Sequence, residues 1–565
     1  MLYDAIVVGS GACGGWAAMQ LCEAGMKVLL LEAGSPIDPL KDFHHTFLYE
    51  MPFRGQGPPG FLRRYSGTER NYRIMLDLSE NPYTTAPDTH YFWSRSRCLG
   101  GRSLHWARAS DRMADYEFKA ASRDGHGLDW DLTYAEIAPY YDRVEGFIGV
   151  SGAVEGFPQF PDGVFLPVMP LNCAEAIFTA ACKRLGWPTT HRRLAQLTLP
   201  HNRRPPCHYC GNCVNGCDVG AMFNTISTTL PPALRTGNLE VRCDSVAAHV
   251  RMNSENRAQG VTYIERYTMK PVDVDAKYVV LAASTLENTR LLLLSAKGGL
   301  ANSSGTLGQY MMDQVGGAGV AGFLPILKGG PSRLDDGKSA GITVPNFQNI
   351  DAKTQRKDFI RGYVMNATGG QTEFPMFASS LPGYGSEWKK EVRSRYVAQA
   401  RVWIAGGEML ARKENFVELD PEVKDHWGIP ALKIHFTHCD NDRKIIADFQ
   451  EKAEELFRKA GGEMMPSVGR EPAGFPGGPG SPNAIAGRAP RQRAIGGSIH
   501  EVGTARMSAS PKDGVLNSFC QTHDIPNLYV FGGNAFPSSG DKHPTLTMLA
   551  LTARGCDRLI QQAKA

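Results

Sequence analysis

The sequence predicts an α/β protein that begins with a βαβ unit, and three observations carry that prediction. A β-branched run at residues 4–8 leads directly into Gly9-Ser10-Gly11-Ala12-Cys13-Gly14, an apolar-periodic stretch follows at 16–24, and a second apolar run at 27–31 ends on Glu32. Strand, turn, helix and strand in that order imply a parallel sheet with the turn at its carboxyl edge, where ligands bind in this architecture. The spacing G-x-G-x-x-G has a physical reading for a dinucleotide. Gly9 permits the tight turn, Gly11 lets the backbone approach a pyrophosphate at the helix N-terminus, and Gly14 allows close helix packing. Glu32 stands where a carboxylate accepts hydrogen bonds from ribose hydroxyls. An incidental glycine turn is the competing reading, and the register of strand, helix and acid weighs against it.

At 565 residues, 42% hydrophobic and 21% charged, the chain is too long for one core and should fold as two or three units. The formal net charge of +4 is mild and no long run of like charges occurs, which argues against nucleic acid and for a small-molecule substrate. No apolar stretch is long enough to span a bilayer. Residue 1 leads at once into a strand, so no signal peptide of its own is expected.

Residues 34–81 read as a long surface excursion, and 130–150 as a helix with Tyr134, Ile137, Tyr140, Tyr141, Val144 and Phe147 on one face. Strands are expected over 238–250, 258–266 and 272–281, the last followed by a helix at 287–295. A second body, 309–494, contains a strand-like stretch at 396–405, an amphipathic helix at 440–460 and a Pro/Gly-rich loop at 471–487. The chain returns through 527–531 to a closing helix at 547–562. The expected organisation is a Rossmann-like domain assembled from 1–45, 200–308 and 495–565, covering segments over 46–199, and an interleaved α+β substrate-binding domain over 309–494.

Three further clusters carry chemistry. Gly100 and Gly101 precede Ser103, His105 and Trp106, and paired glycines let backbone amides approach a planar ring. His500 opens a His-x-x-Gly-Thr-x-Arg-Met run, and His543 precedes Pro544 and Thr545. Cys207, Cys210, Cys213 and Cys217 follow the C-x2-C-x2-C-x3-C spacing of bacterial ferredoxins, with Asp218 where proline usually follows. That spacing suits an iron–sulfur cluster of the 4Fe–4S or 3Fe–4S type, whereas zinc sites usually pair two C-x-x-C units across a longer loop. Zinc and a bare thiol cluster remain the alternatives.

Together, Gly9 to Gly14, the Gly-Gly-x-Ser-x-x-Trp element at 100–106, the His500 element and 527–547 resemble the glucose-methanol-choline (GMC) oxidoreductase family over almost the whole chain. The resemblance implies FAD as cofactor, with Gly9, Gly11, Gly14, Glu32, Gly100, Gly101, Ser103, His105, Trp106, Asn534, Pro544 and Thr545 around it. It also implies that His500 and His543 flank the reacting carbon. An imidazole poised near neutrality takes a hydroxyl proton as hydride leaves, and a second polar group fixes the hydroxyl in line. The His-x-x-Gly-Thr element assigns the base to His500. Relatives with a histidine before the equivalent tryptophan include both bonded and unbonded flavins, and packing of His105 on the isoalloxazine is the default.

A narrower resemblance is to bacterial glucoside 3-dehydrogenases and sugar 3-oxidases, on Cys207 to Gly211, the Gly100 to Trp106 element and residues 415–435. It implies oxidation of a secondary ring hydroxyl of a sugar or glycoside, at C3, to a ketone. Electrons would pass through the cluster to a cytochrome c or quinone acceptor. By the same resemblance a small signal-bearing subunit co-exports the chain to the periplasm, the alternative being a cytoplasmic location. An oxygen-using sugar oxidase is the runner-up, a non-catalytic electron-relay subunit the rival from another class. An NAD-dependent enzyme is disfavoured by the C-terminal elements.

Overall fold

In the computed structural model, which describes residues 3–65, 67–87, 89, 91–316, 318–331, 341–370, 375–465, 496 and 498–565, the N-terminal unit forms as the glycine spacing predicts. Strand β1 is Tyr3–Val8, helix α1 is Ala12–Glu23 and strand β2 is Val28–Leu31. Both strands read as continuous apolar runs because both faces of a central parallel strand are covered. The parallel sheet runs in the order Leu239–Arg242, β2, β1, Pro271–Leu281, Leu528–Val530. Its strands therefore come from three distant parts of the chain. Pro271–Leu281 serves two layers, because its first half pairs antiparallel with Ala258–Glu265, which in turn pairs with Ser245–Met252.

The stretch expected as one strand over 238–250 is two. Asp244 adopts φ 54, a left-handed conformation that ends Leu239–Arg242 in one layer and starts Ser245–Met252 in the other. The helix expected over 130–150 is Tyr134–Ile148. Thr133 accepts from the Glu136 amide while the Glu136 carboxylate accepts from the Thr133 amide at 2.8 Å, and that reciprocal cap sets its start. Its buried Tyr141 hydroxyl meets Thr547 Oγ1 at 2.8 Å, tying it to the closing helix Thr545–Lys564, which also packs on α1.

A second, six-stranded sheet is antiparallel, in the order Glu463–Met464, Gly319–Phe323, Gln399–Gly407, Tyr363–Gly369, Ile342–Val344, Thr190–His191. Helices Asp440–Lys459 and Cys173–Leu185 back it, burying Ile445, Phe449, Leu456, Phe457 and Phe178 in one core with the sheet. Its strand expected from residue 396 begins at Gln399, because Tyr396 closes the helix Gly385–Tyr396. The loop expected at 471–487 lies outside the described residues. Among the described residues, no helix is long and apolar enough to cross a membrane. Residues of both sheets and of the loops between them enclose one cavity of about 1330 Å³.

Candidate active site

The glycine turn forms one end of the cavity, and each glycine does a different job there. Gly9 has φ 97, and a Cβ on it would lie 2.6 Å from the Ala282 carbonyl oxygen. At Gly14 a Cβ would lie 1.8 Å from the Gly9 carbonyl oxygen, so α1 can seat against the turn only without a side chain there. Gly11 is the reverse case: nothing lies within 4 Å of its Cβ position, and it opens on the cavity. A backbone bare at that point, at a helix N-terminus, fits a pyrophosphate. Glu32 ends β2 in the same wall, its carboxylate accepting from Ser10 Oγ at 2.6 Å, Gly34 N at 2.9 Å and Ser10 N at 3.1 Å. Burial raises its pKa and these bonds oppose the rise.

Ser10 also accepts from the Gly100 amide at 2.8 Å, which joins the glycine turn to the second glycine loop. Gly100 and Gly101 have φ 94 and 50, both in the left-handed region. Ser103 Oγ donates to Gly100 O at 2.6 Å and accepts from the Thr225 amide at 3.1 Å, so the hydroxyl braces this bend. Gly101, Arg102, Ser103, His105 and Trp106 face the cavity. His105 Nε2 meets Ser96 Oγ at 2.6 Å; burial, then Arg108 and Arg102, push its pKa down to about 3.

His500 and His543 come together from separate motifs near the C-terminal end of the chain. Their ring centroids are 5.1 Å apart with planes at 81°, and both line the cavity. His500 N donates to Asp313 Oδ1 at 2.9 Å, and its Nδ1 meets Gln314 Oε1 at 2.7 Å. Burial holds the His500 pKa well below its usual value, and His543 and Arg102 add to the effect. A neutral imidazole with a free ring nitrogen is a proton acceptor. His543 Nδ1 meets Asp111 Oδ2 at 3.0 Å. Pro544 and Thr545 line the cavity where the closing helix begins. Behind this wall Lys542 is fully buried, paired with Asp541 and with Glu117 at 3.0 Å.

Three of the expected cofactor residues stand behind the wall. Gly14 packs against Gly9 and Gly100 beneath its own loop, and neither is among the lining residues. Asn534 is also absent from the lining; its Nδ2 donates to Thr285 O at 2.6 Å and Thr289 Oγ1 at 3.0 Å, and its Oδ1 accepts from Asn288 at 2.9 Å. It pins the start of the helix Thr285–Ser295. Motif reading missed Ser10, Arg102, Asp111, Gln314 and Glu501. Arg102 is paired with Glu501 at 2.8 Å, and both face the cavity. Arg102 and Glu501 sit inside the quoted motifs and could have been found there; Asp111 and Gln314 belong to no motif.

The expected iron–sulfur ligand set finds no support in the arrangement of these side chains. Cys207, Cys210, Cys213 and Cys217 share one loop, but left-handed residues, Tyr209 (φ 61), Gly211 (φ 72) and Gly216 (φ 102), reverse the chain between successive cysteines. Cys207 Sγ is taken by Gln196 Nε2 at 3.0 Å and Tyr209 N at 3.3 Å. Burial pushes the Cys213 thiol up to about 12, with Arg108 opposing. Among the described residues, no group of three or more His, Cys, Asp or Glu side chains is arranged to hold a metal ion. Of this loop, Val214 reaches the cavity wall.

Known proteins match this geometry. The chain is 29% identical to 2-methyl-1,2-propanediol dehydrogenase of Mycolicibacterium austroafricanum, over 98% of this chain and 94% of that one. It is 28% identical to the fructose dehydrogenase large subunit of Gluconobacter japonicus, over 99% and 98%. A C-glycoside 3-oxidase of Arthrobacter globiformis is 26% identical over 56% of this chain and 51% of its own. Pyridoxine 4-oxidase from Mesorbium loti shares the fold, with TM-score 0.64 and 18% identity over 98% and 99% of the two chains. The N-terminal family model for GMC oxidoreductases matches residues 3–316 and the C-terminal one residues 411–552, so the chain belongs to the GMC oxidoreductases, FAD-dependent enzymes that act on CH–OH donors.

Proposed function

We propose that this chain oxidises a secondary ring hydroxyl of a sugar or glycoside, at C3, to a ketone. The observation that carries the chemistry is the His500–His543 pair, two imidazoles 5.1 Å apart in the cavity that begins at the glycine turn. FAD bound there supplies the hydride acceptor. Gly11 would offer bare backbone to its pyrophosphate, Glu32 would receive ribose hydroxyls, and Gly9, Gly101, Ser103, His105, Trp106, Pro544 and Thr545 would line its path, with Gly14, Gly100 and Asn534 shaping the elements behind. His500, kept neutral by burial, takes the hydroxyl proton. His543, backed by Asp111, holds the substrate oxygen so that the carbon–hydrogen bond stays in line. Trp403, Thr437 and Arg443, from the stretch expected to bind substrate, line the cavity on the substrate-facing side.

The name of the C-glycoside 3-oxidase relative supports position C3, and that of the fructose dehydrogenase large subunit supports a sugar and an accompanying subunit. Electrons then leave for a cytochrome or quinone partner. An iron–sulfur relay rests on cysteine spacing alone.

Anaerobic mixing of the flavin-loaded protein with sugars, glycosides and small diols tests the reading. A sugar or glycoside should bleach the flavin and yield a 3-ketone. Bleaching by 2-methyl-1,2-propanediol with no response to any sugar would overturn the substrate class. Stoichiometric oxygen consumption would move the chain to the oxidase reading.

A further inference from the structure

One side chain outside every sequence motif touches one histidine of the pair and the backbone just ahead of the other. Gln314 Oε1 lies 2.7 Å from His500 Nδ1, while Gln314 Nε2 donates to the carbonyl oxygens of Gly540 at 2.6 Å and Lys542 at 2.7 Å. The second carbonyl belongs to the residue before His543. An amide whose NH2 is committed to two carbonyl oxygens can offer a third neighbour only its own oxygen. Reversing the amide would set oxygen against two oxygens. His500 Nδ1 must therefore carry the proton, and its Nε2 is left with the bare lone pair.

His543 also turns its Nδ1 toward an acceptor, but that acceptor is the Asp111 carboxylate at 3.0 Å. The two acceptors differ in charge. A neutral amide gives no counter-ion to an imidazolium, whereas a carboxylate does, so the two imidazoles stand in unequal surroundings. The other charged groups facing His500 are Arg102, paired with Glu501, and Asp313, which receives the His500 amide.

We propose that Gln314 is the positioning residue that makes His500 the proton acceptor of the pair and sets its register against the loop carrying His543. This rests on the reading that His500 takes the hydroxyl proton. The test uses the full-length, flavin-loaded protein with whichever panel donor bleaches the flavin fastest, and compares wild type with Gln314→Met, Gln314→Glu and His500→Ala.

In wild type the ring-nitrogen 15N resonances lost in His500→Ala should show a protonated Nδ1 and a bare Nε2 at pH 7. Gln314→Met, close in shape but unable to accept, should mix the two tautomers and slow flavin reduction on the order of tenfold at saturating donor. Gln314→Glu keeps an acceptor oxygen toward Nδ1. Its second oxygen has no proton for the two carbonyls that the amide's NH2 held, so the variant should not restore the rate, but it should move the acid limb of the pH profile upward, because a carboxylate favours the imidazolium. A bare Nδ1 in wild type, a Gln314→Met rate within twofold of wild type, or an unmoved acid limb in Gln314→Glu would each overturn the proposal. Near-normal reduction by His500→Ala would instead overturn the base assignment on which it rests.

Discussion

At the scale of single residues, the two histidines are unequal because their neighbours are unequal. If His500 is the proposed proton acceptor that burial keeps neutral, His500→Ala should slow flavin reduction by the donor on the order of a hundredfold or more while the flavin stays bound. His543→Asn should be milder, since an amide can still hold the substrate oxygen. Stopped-flow reduction of the two variants measures both, and near-normal reduction by His500→Ala would show that another group is the base. His105 supports a second expectation. Its Nε2 is engaged by Ser96 and its ring stays uncharged, so it packs beside the flavin without bonding to it. Denaturation in acid followed by filtration should separate flavin from polypeptide, and a chain that stays yellow would refute this. The histidines were legible in the sequence because each stands in a motif of fixed spacing. Asp111 and Gln314 were not, since a lone carboxylate or amide acquires its meaning only from what the fold sets opposite it.

At the scale of elements, legibility followed burial. Strands β1 and β2 were readable as apolar runs, and the helix Asp440–Lys459 was readable because only one of its faces is buried. The break at Asp244 was hidden, because a single left-handed residue leaves no periodic trace. The iron–sulfur expectation is unsupported for a related reason: spacing fixes how far apart cysteines are along the chain, whereas a ligand set depends on their arrangement in space, and among the described residues no group of three or more His, Cys, Asp or Glu side chains is arranged to hold a metal ion. The glycine turn allows a sharper test. In a helix, glycine to alanine ordinarily stabilises by about 1 kcal/mol. At Gly14 the sign should reverse, because the new methyl would meet the Gly9 carbonyl oxygen at 1.8 Å and α1 would have to move. Gly14→Ala should therefore lower stability by roughly 1–3 kcal/mol, the usual cost of overpacking. Gly11→Ala meets nothing within 4 Å and should keep its melting temperature without flavin, yet bind less flavin because the methyl projects into the cavity. Equal melting temperatures for the two variants would contradict this division of roles.

At the scale of the whole molecule, the parallel sheet draws strands from near residues 3, 240, 280 and 530, so the cavity closes only when distant segments assemble. The N-terminal unit was legible because its strand, turn, helix and strand follow one another within one short stretch, even though β1 also pairs with Pro271–Leu281. The six-stranded sheet was not, because its order depends on pairings between segments as far apart as Thr190–His191 and Ile342–Val344. Assembly also buries acids, and this couples stability to pH. Burial, with Glu501 adding, pushes the Asp313 carboxyl up to about 7, and burial with Asp541 raises Glu408 as well. In the unfolded chain such carboxyls titrate at about 4. The folded state therefore holds protons that the unfolded state has lost. That stability is complete below the unfolded value and disappears as pH rises through the folded one. His105 and His500, whose pKa values are depressed, act in the opposite sense but only below their ordinary value of 6.5. Between pH 6.5 and 8 the buried acids dominate, and the melting temperature with FAD in fixed excess should fall as pH rises. Asp313 should account for on the order of 1 kcal/mol of the loss. Asp313→Asn, which keeps an acceptor for the His500 amide but cannot ionise, should flatten the slope; a profile that rises over this range, or one equally steep in the variant, would show that these acids are already ionised in the folded protein.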